Sequence, residues 1–301
     1  MSKQTEKMFK ELDKFMSDKT FDSEDDLKIA LSQFMPQYQA SAVEDITKQN
    51  AETSDDFLEL AESAPTKKKA LDYAKKSLEL DPDNLDAEVF IAELSATSNE
   101  KLLDKYKKLV DKATRKMTRQ GYFSEDAVGK FWLILETRPY MRLRANYLDI
   151  LIKSMKIHLA IYECEEMLRL CEGDNLGVRY RLMHLYVYLE DEKSALGLLE
   201  RYPEEGTQFL LPLSMLYYKL GDLKEAAKYL KALEEVNKDT LKFFNGIVNG
   251  RLEKFIEGRG PYGYQPFTIE EFIEEIKTNS YLLVPMIAYF DWAQRKLKSM
   301  K

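Results

Sequence analysis

Apolar residues recur along this chain at intervals of three and four, the spacing that gathers one stripe of a helix against a core. Met8, Leu12 and Phe15 mark a first helix; Leu27, Leu31 and Phe34 mark a second, which Pro36 is expected to close. Phe57 and Leu60 belong to a third. Ser23 stands three residues before Asp26, and Thr53 three before Asp56, the hydroxyl-to-carboxylate spacing that opens helices. The polar stretch from Gln37 to Ser54 reads as a linker. From Thr66 the pattern tightens: KKALDYAKKSLELDPDN predicts an amphipathic helix ending at a proline-marked turn, and AEVFIAEL opens the next helix at once.

That hinge recurs. Ala70 lies twelve residues before Pro82, and Ala160, Ala195 and Ala226 take the same place in three later helices, separated by 35 and 31 residues. The last copy, MLYYKLGDLKEAAKYL, is the clearest, with its Tyr217-Tyr218 pair, its Leu220-Gly221-Asp222 turn and Ala226. In this register the chain resembles tetratricopeptide repeat proteins, built of helix-turn-helix units of about 34 residues. The longer phrase TRPYMRLRANYLDILIKSMKIHLAIYECEEMLRLCEGDNLGVRYRLMHLY resembles a bacterial branch of repeat proteins, distantly similar to the suppression-of-tumorigenicity-seven family. That likeness covers about residues 136–235 and brings no catalytic chemistry with it. The copies also depart from the pattern, with Met183 and Leu148 where a small residue is usual and Glu172 where a proline would stand.

The resemblance implies an all-α fold: an irregular, right-handed solenoid of helical hairpins. Residues 1–62 form an acidic helical segment, 63–257 the repeat array and 258–301 a loop followed by capping helices. Residues 99–137 fit least well, and long helices are expected there around LLDKYKKLV and SEDAVGKFWLIL. The segment GRGPYGYQPF, 258–267, is a loop by composition; Thr268 with Glu271 starts a helix, and TNSYLLVPMIAYFDWAQRKL supplies another. An array needs an atypical end unit to cover its last apolar face, a role that suits Leu282, Ile287, Phe290 and Trp292.

In tetratricopeptide arrays the first helix of each repeat lines a concave groove. The resemblance maps that groove onto Arg142, Asp149 and Lys153, then Tyr180, His184 and Tyr188, then Gln208, Met215, Tyr218 and Lys219. Aromatics there would bury area and charges would orient a peptide. The Lys and Asn clamp with which some family members hold a C-terminal carboxylate is absent, since its positions carry Ala145 and Asp149.

Composition agrees with helix: 12 Gly and 9 Pro in 301 residues leave little for tight turns. No apolar run approaches a membrane span, and the charged N-terminus lacks the apolar stretch of a secretory leader, so a cytoplasmic location is expected. Cys164 and Cys171 stand seven residues apart on one helix, about 10 Å along its axis, too far for a disulfide. His158 and His184 fall at no metal-ligand spacing, and no phosphate-binding Gly-rich loop, His-Glu-x-x-His or Cys-x-x-Cys occurs. Neither a catalytic site nor a cofactor is expected, which leaves binding of a protein or peptide.

Charge adds a second possibility. Residues 1–62 carry 7 basic and 15 acidic residues, a net of −8, whereas residues 101–156 carry 14 and 6, a net of +8. Lys and Arg interleave with Tyr and Phe in the basic segment, the mixture that RNA or another polyanion would use. The whole chain is acidic, with a net charge of −7, which favours a protein partner. The two opposed segments are expected either to dock on each other or to leave the basic one open to a ligand.

Overall fold

The computed structural model of the chain describes residues 3–17, 19–21, 23–41, 46–251 and 265–300. Among these residues the protein is all-helical, with fifteen α-helices, a 3-10 turn at Leu135–Thr137 and no strand. An isolated bridge pairs Lys130 with Cys171. The chain divides into two compact units, one of Met1–Ser124 and Phe131–Tyr147, the other of Glu125–Lys130 and Leu148–Lys301. No helix among the described residues is long and apolar enough to cross a membrane.

The first unit holds α1 (Lys3–Ser17), α2 (Glu24–Ser41), α3 (Ser54–Glu62), α4 (Lys67–Leu80), α5 (Leu85–Ser95), α6 (Asn99–Arg119) and the start of α7 (Arg138–Lys153). Its helices begin where side chains cap them. Thr53 and Asp56 form a reciprocal capping box at α3, while Thr66, Asn84 and Ser98 each accept a backbone N–H of α4, α5 and α6. Successive helices from α3 to α6 pack on one another. The Leu-Asp-Pro-Asp-Asn turn joins α4 to α5, and there the Asn84 amide also donates to the Ser54 hydroxyl at 2.8 Å, tying the start of α3 to the turn.

The second unit contains the end of α7, then α8 (Ile157–Leu170), α9 (Val178–Tyr188), α10 (Glu192–Arg201), α11 (Thr207–Lys219), α12 (Leu223–Val236), α13 (Thr240–Val248), α14 (Ile269–Leu283) and α15 (Ile287–Met300). Helix α9 meets α8, α10 and α11; α11 packs most extensively on α12; and α15 lies against α12 and α13. Helix α14 rests on α9, α11 and α13. The hinge alanines sit inside these contacts: Ala70 is buried in the first unit, and Ala160, Ala195 and Ala226 are fully buried in the second.

The chain departs from its sequence pattern in several places. Helix α2 does not stop at Pro36 but runs to Ser41; a proline removes one ladder hydrogen bond, and ring contacts of Phe34 with Phe15 and Tyr38 hold this stretch together. Its buried stripe is Ala30 and Phe34, so Leu27 and Leu31 face outward. The linker expected over Gln37–Ser54 is thus part of α2 as far as Ser41, and its residues 42–45 lie outside the described set. The helix expected over SEDAVGKFWLIL is a run of turns, because Gly129 adopts a φ of +91° and its carbonyl accepts the Glu172 N–H at 2.9 Å.

At the C-terminus TNSYLLVPMIAYFDWAQRKL is not one helix: Pro285 cannot donate, α14 ends at Leu283 and α15 begins at Ile287. Of the proposed capping residues Leu282 and Phe290 are buried and Trp292 is half-buried, whereas Ile287, at the break, is exposed. Most of the loop expected at 258–267 lies outside the described residues.

Ala226 is fully enclosed, so Ala226→Leu is expected to destabilise the second unit by about 1–3 kcal/mol through overpacking. The check is the urea midpoint of the transition reported by Trp292 fluorescence, measured in a Trp132→Phe background; an unchanged midpoint would show that the α11–α12 contact accommodates the added bulk.

Candidate functional site

In the second unit several of the residues mapped to a groove, His184, Tyr188 and Tyr218 among them, face the C-terminal helices α14 and α15. His184 and Met215 are fully buried, which corrects their assignment as surface contacts: α14 lies over α9 and α11 at this point. The His184 Nδ1 is 2.8 Å from the carbonyl oxygen of Tyr180, one turn earlier in α9. Its Nε2 is 3.0 Å from Glu275 Oε2 of α14, out of line for a hydrogen bond. The same carboxylate oxygen accepts a hydrogen bond from the Asn279 amide at 3.0 Å. Burial pushes the Tyr281 hydroxyl well above the ordinary tyrosine range, and that hydroxyl is enclosed without a hydrogen-bond partner.

Two of the three mapped tyrosines also face these helices. Tyr188 meets Tyr281 edge-on with ring centroids 5.7 Å apart. Tyr218 meets Tyr289 at 5.5 Å and Trp292 at 5.2 Å. Tyr180 is edge-on to Phe209, and its hydroxyl accepts from Arg179. Lys219 donates to the carbonyls of Val187 and Tyr188 at 2.8 and 2.9 Å, closing the C-terminal end of α9. Asp149 is ion-paired with Arg181. Gln208 is half-buried, and Lys153 is exposed.

Arg142 belongs to the first unit and meets a different helix. Its Nη1 donates to both oxygens of Glu6 in α1, at 2.7 and 2.8 Å, while Nε and Nη2 form a fork on Asp86 of α5 at 3.0 and 2.6 Å. Arg138, itself buried, places Nη1 3.8 Å from Glu6. Two further pairs run along α1: Lys7 with Asp56 and Lys10 with Asp55, both at 2.8 Å.

The most enclosed contact of helix α1 is a charged one. Among its residues with described side chains, Glu6 alone is buried, at 6% exposure; Met8, Leu12 and Phe15 are half-buried. Beside it a cleft of about 260 Å³ is lined by Glu6, Lys7, Lys10, Leu58, Glu59 and Arg142, among others. The acidic segment therefore meets the basic one through Glu6 on Arg138 and Arg142, the docked of the two alternatives at this point. Glu6, Asp86, Arg138, Glu275 and Tyr281 were not singled out by sequence; for Glu6 the signal was the opposed charge of the two segments.

Three lysines of the basic segment are also paired: Lys108 with Asp104, Lys112 with Glu88 and Lys116 with Asp83, at 2.7, 2.7 and 3.1 Å. Cys164 and Cys171 are both buried and unbridged, and burial pushes the Cys164 thiol up, out of the reactive range. No group of three or more His, Cys, Asp or Glu side chains among the described residues is placed to hold a metal ion.

No protein-family model matches the sequence, and no curated protein matches it significantly.

The Asp56 carboxyl is raised by its burial but pulled down further by the Lys7 ammonium and by the Thr53 hydroxyl and N–H, to about 2 from an ordinary 3.8. A carboxylate lowered on folding stabilises the native state above its unfolded pKa and loses that contribution as pH falls through the folded value. The first unit should accordingly lose about 1–2 kcal/mol between pH 4 and pH 2 from this group, after allowance for solvent screening. Chemical denaturation across that range, with Asp56→Asn as the comparison, measures it; equal acid sensitivity in both proteins would remove Asp56 as a source.

Proposed function

We propose that the protein is a noncatalytic scaffold or adaptor: an irregular tetratricopeptide-like, right-handed array of helical hairpins that binds a protein or peptide through the faces of its first helices. In this reading α3, α5, α7, α9 and α11 are the first helices. The observation that carries it is that these faces already hold helices. Glu6 of α1 meets Arg142 of α7 and, through that guanidinium, Asp86 of α5, while Glu275 and Tyr281 of α14 meet His184 and Tyr188 of α9. Side chains of this kind, an arginine fork and edge-on tyrosines, are those that carry peptide recognition at interfaces.

The buried hinge alanines support the repeat register, since a small residue at a helix crossing permits the close approach the hairpin requires. Binding of RNA through residues 101–156 is the weaker reading, because Lys112, Lys116, Arg138 and Arg142 are engaged by carboxylates of the same unit. A cytoplasmic location suits an adaptor of this type.

Affinity purification of the full chain from its native cell, with and without nuclease, tests the proposal. A protein retained in near-stoichiometric amount after nuclease treatment is the expected result. Retention of nucleic acid alone would replace the scaffold reading with the polyanion one.

A further inference from the structure

We infer that the Arg138–Arg142 face of the first unit is a docking site for a partner helix bearing a carboxylate followed by lysines one and four residues later, and that α1 occupies it as an internal competitor. The inference rests on the protein-binding reading above and names both the site and the chemistry of its ligand.

Four observations converge. Glu6 reaches Arg142 through both carboxylate oxygens, with Arg138 behind it. Lys7 and Lys10 then fall on Asp56 and Asp55 of α3, so a Glu-Lys-x-x-Lys order along one helix is matched in sequence by two arginines and two aspartates on the body. Glu6 is the one buried residue among the described side chains of α1, so the most enclosed contact of the seat is an ion pair, while Met8, Leu12 and Phe15 are only partly covered. The cleft of about 260 Å³ beside it leaves room for larger side chains than α1 supplies.

Helix α2 does not hold α1 down from the other side, since it packs chiefly on α1 itself and leaves Leu27, Ile29, Leu31 and Met35 exposed. Charge complementarity of this kind fixes register and partner choice. A helix held by ion pairs in a site it does not fill is one that a better-fitting helix displaces.

The test uses the full chain and a labelled, end-capped peptide of α1, KQTEKMFKELDKFMS, with binding followed by fluorescence anisotropy at low salt. A tethered competitor acts at an effective concentration on the order of 1 mM, so an intrinsic Kd on the order of 100 µM gives about tenfold occlusion in the unmodified chain. Glu6→Arg places like charge against Arg142 and should tighten peptide binding about tenfold. Arg142→Glu alone opens the same seat by setting a carboxylate against Glu6 and should bind no peptide, because the peptide's own Glu6 then meets that carboxylate.

Should Glu6→Arg lose its helical circular dichroism, Lys10→Glu takes its place, at a pair exposed on both sides, with a smaller rise expected. Peptide binding that does not rise in either folded variant overturns the inference, as does an opened chain that binds an RNA oligonucleotide and not the peptide. The two readings fail separately. Peptide binding by the opened chain with no cellular protein retained defeats the adaptor reading but not the site, whereas a retained protein with no peptide binding defeats the site alone.

Discussion

Small residues enclosed between helices set how closely the helices can pack. Ala160, Ala195 and Ala226 are fully enclosed, and with no side chain beyond Cβ the helix axes can approach to the lower part of the usual range of about 8–10 Å. Close pairing on one side leaves each helix with another face to be covered or solvated. Around α3, α5 and α7 that face carries Asp56, Asp86 and Arg142; around α9 and α11 it carries His184, Met215 and Tyr218. In the first unit α1 lies against such a face, and in the second α14 does.

The two coverings obey different physics. At the C-terminal end Phe272 of α14 stacks on Phe243 with centroids 4.4 Å apart, and Phe244, Tyr289 and Phe290 close round them edge-to-face. All five rings are buried, so this seat draws on apolar area and is insensitive to salt. It still encloses an imidazole beside a carboxylate and a tyrosine hydroxyl without a partner, which makes it less favourable than its ring count suggests. At the N-terminal end the contacts are ion pairs: Glu6 and Asp56 are buried beneath theirs, whereas Lys10–Asp55 is exposed on both sides, where screening and side-chain entropy offset much of the Coulomb attraction.

What the sequence made legible was local. Thr53 with Asp56, Asn84 after Pro82, and Thr268 before α14 are short-range devices, and each sits where its spacing placed it. The burial of Ala70, Ala160, Ala195 and Ala226 was legible because the same small residue recurs in four amphipathic helices. Residues that depend on distant partners were not. His184 and Met215 read as surface positions until α14, some ninety residues beyond His184, is laid across them. SEDAVGKFWLIL has helical periodicity, but Gly129 and its contact with Glu172 outweigh it. Leu27 and Leu31 have helical spacing yet lie beside the buried stripe, because the position of α1, which periodicity does not encode, decides which stripe of α2 is covered.

The two-oxygen grip of Glu6 on Arg142 has a geometric consequence for α1. Sliding the helix by one turn, about 5.4 Å, would bring Lys10 to the place of Glu6 and set an ammonium against the guanidinium. Lys7 and Lys10 would leave their aspartates in the same movement. The helix is thus a key with one working depth: it can lie in its seat or leave it, but it cannot creep along it.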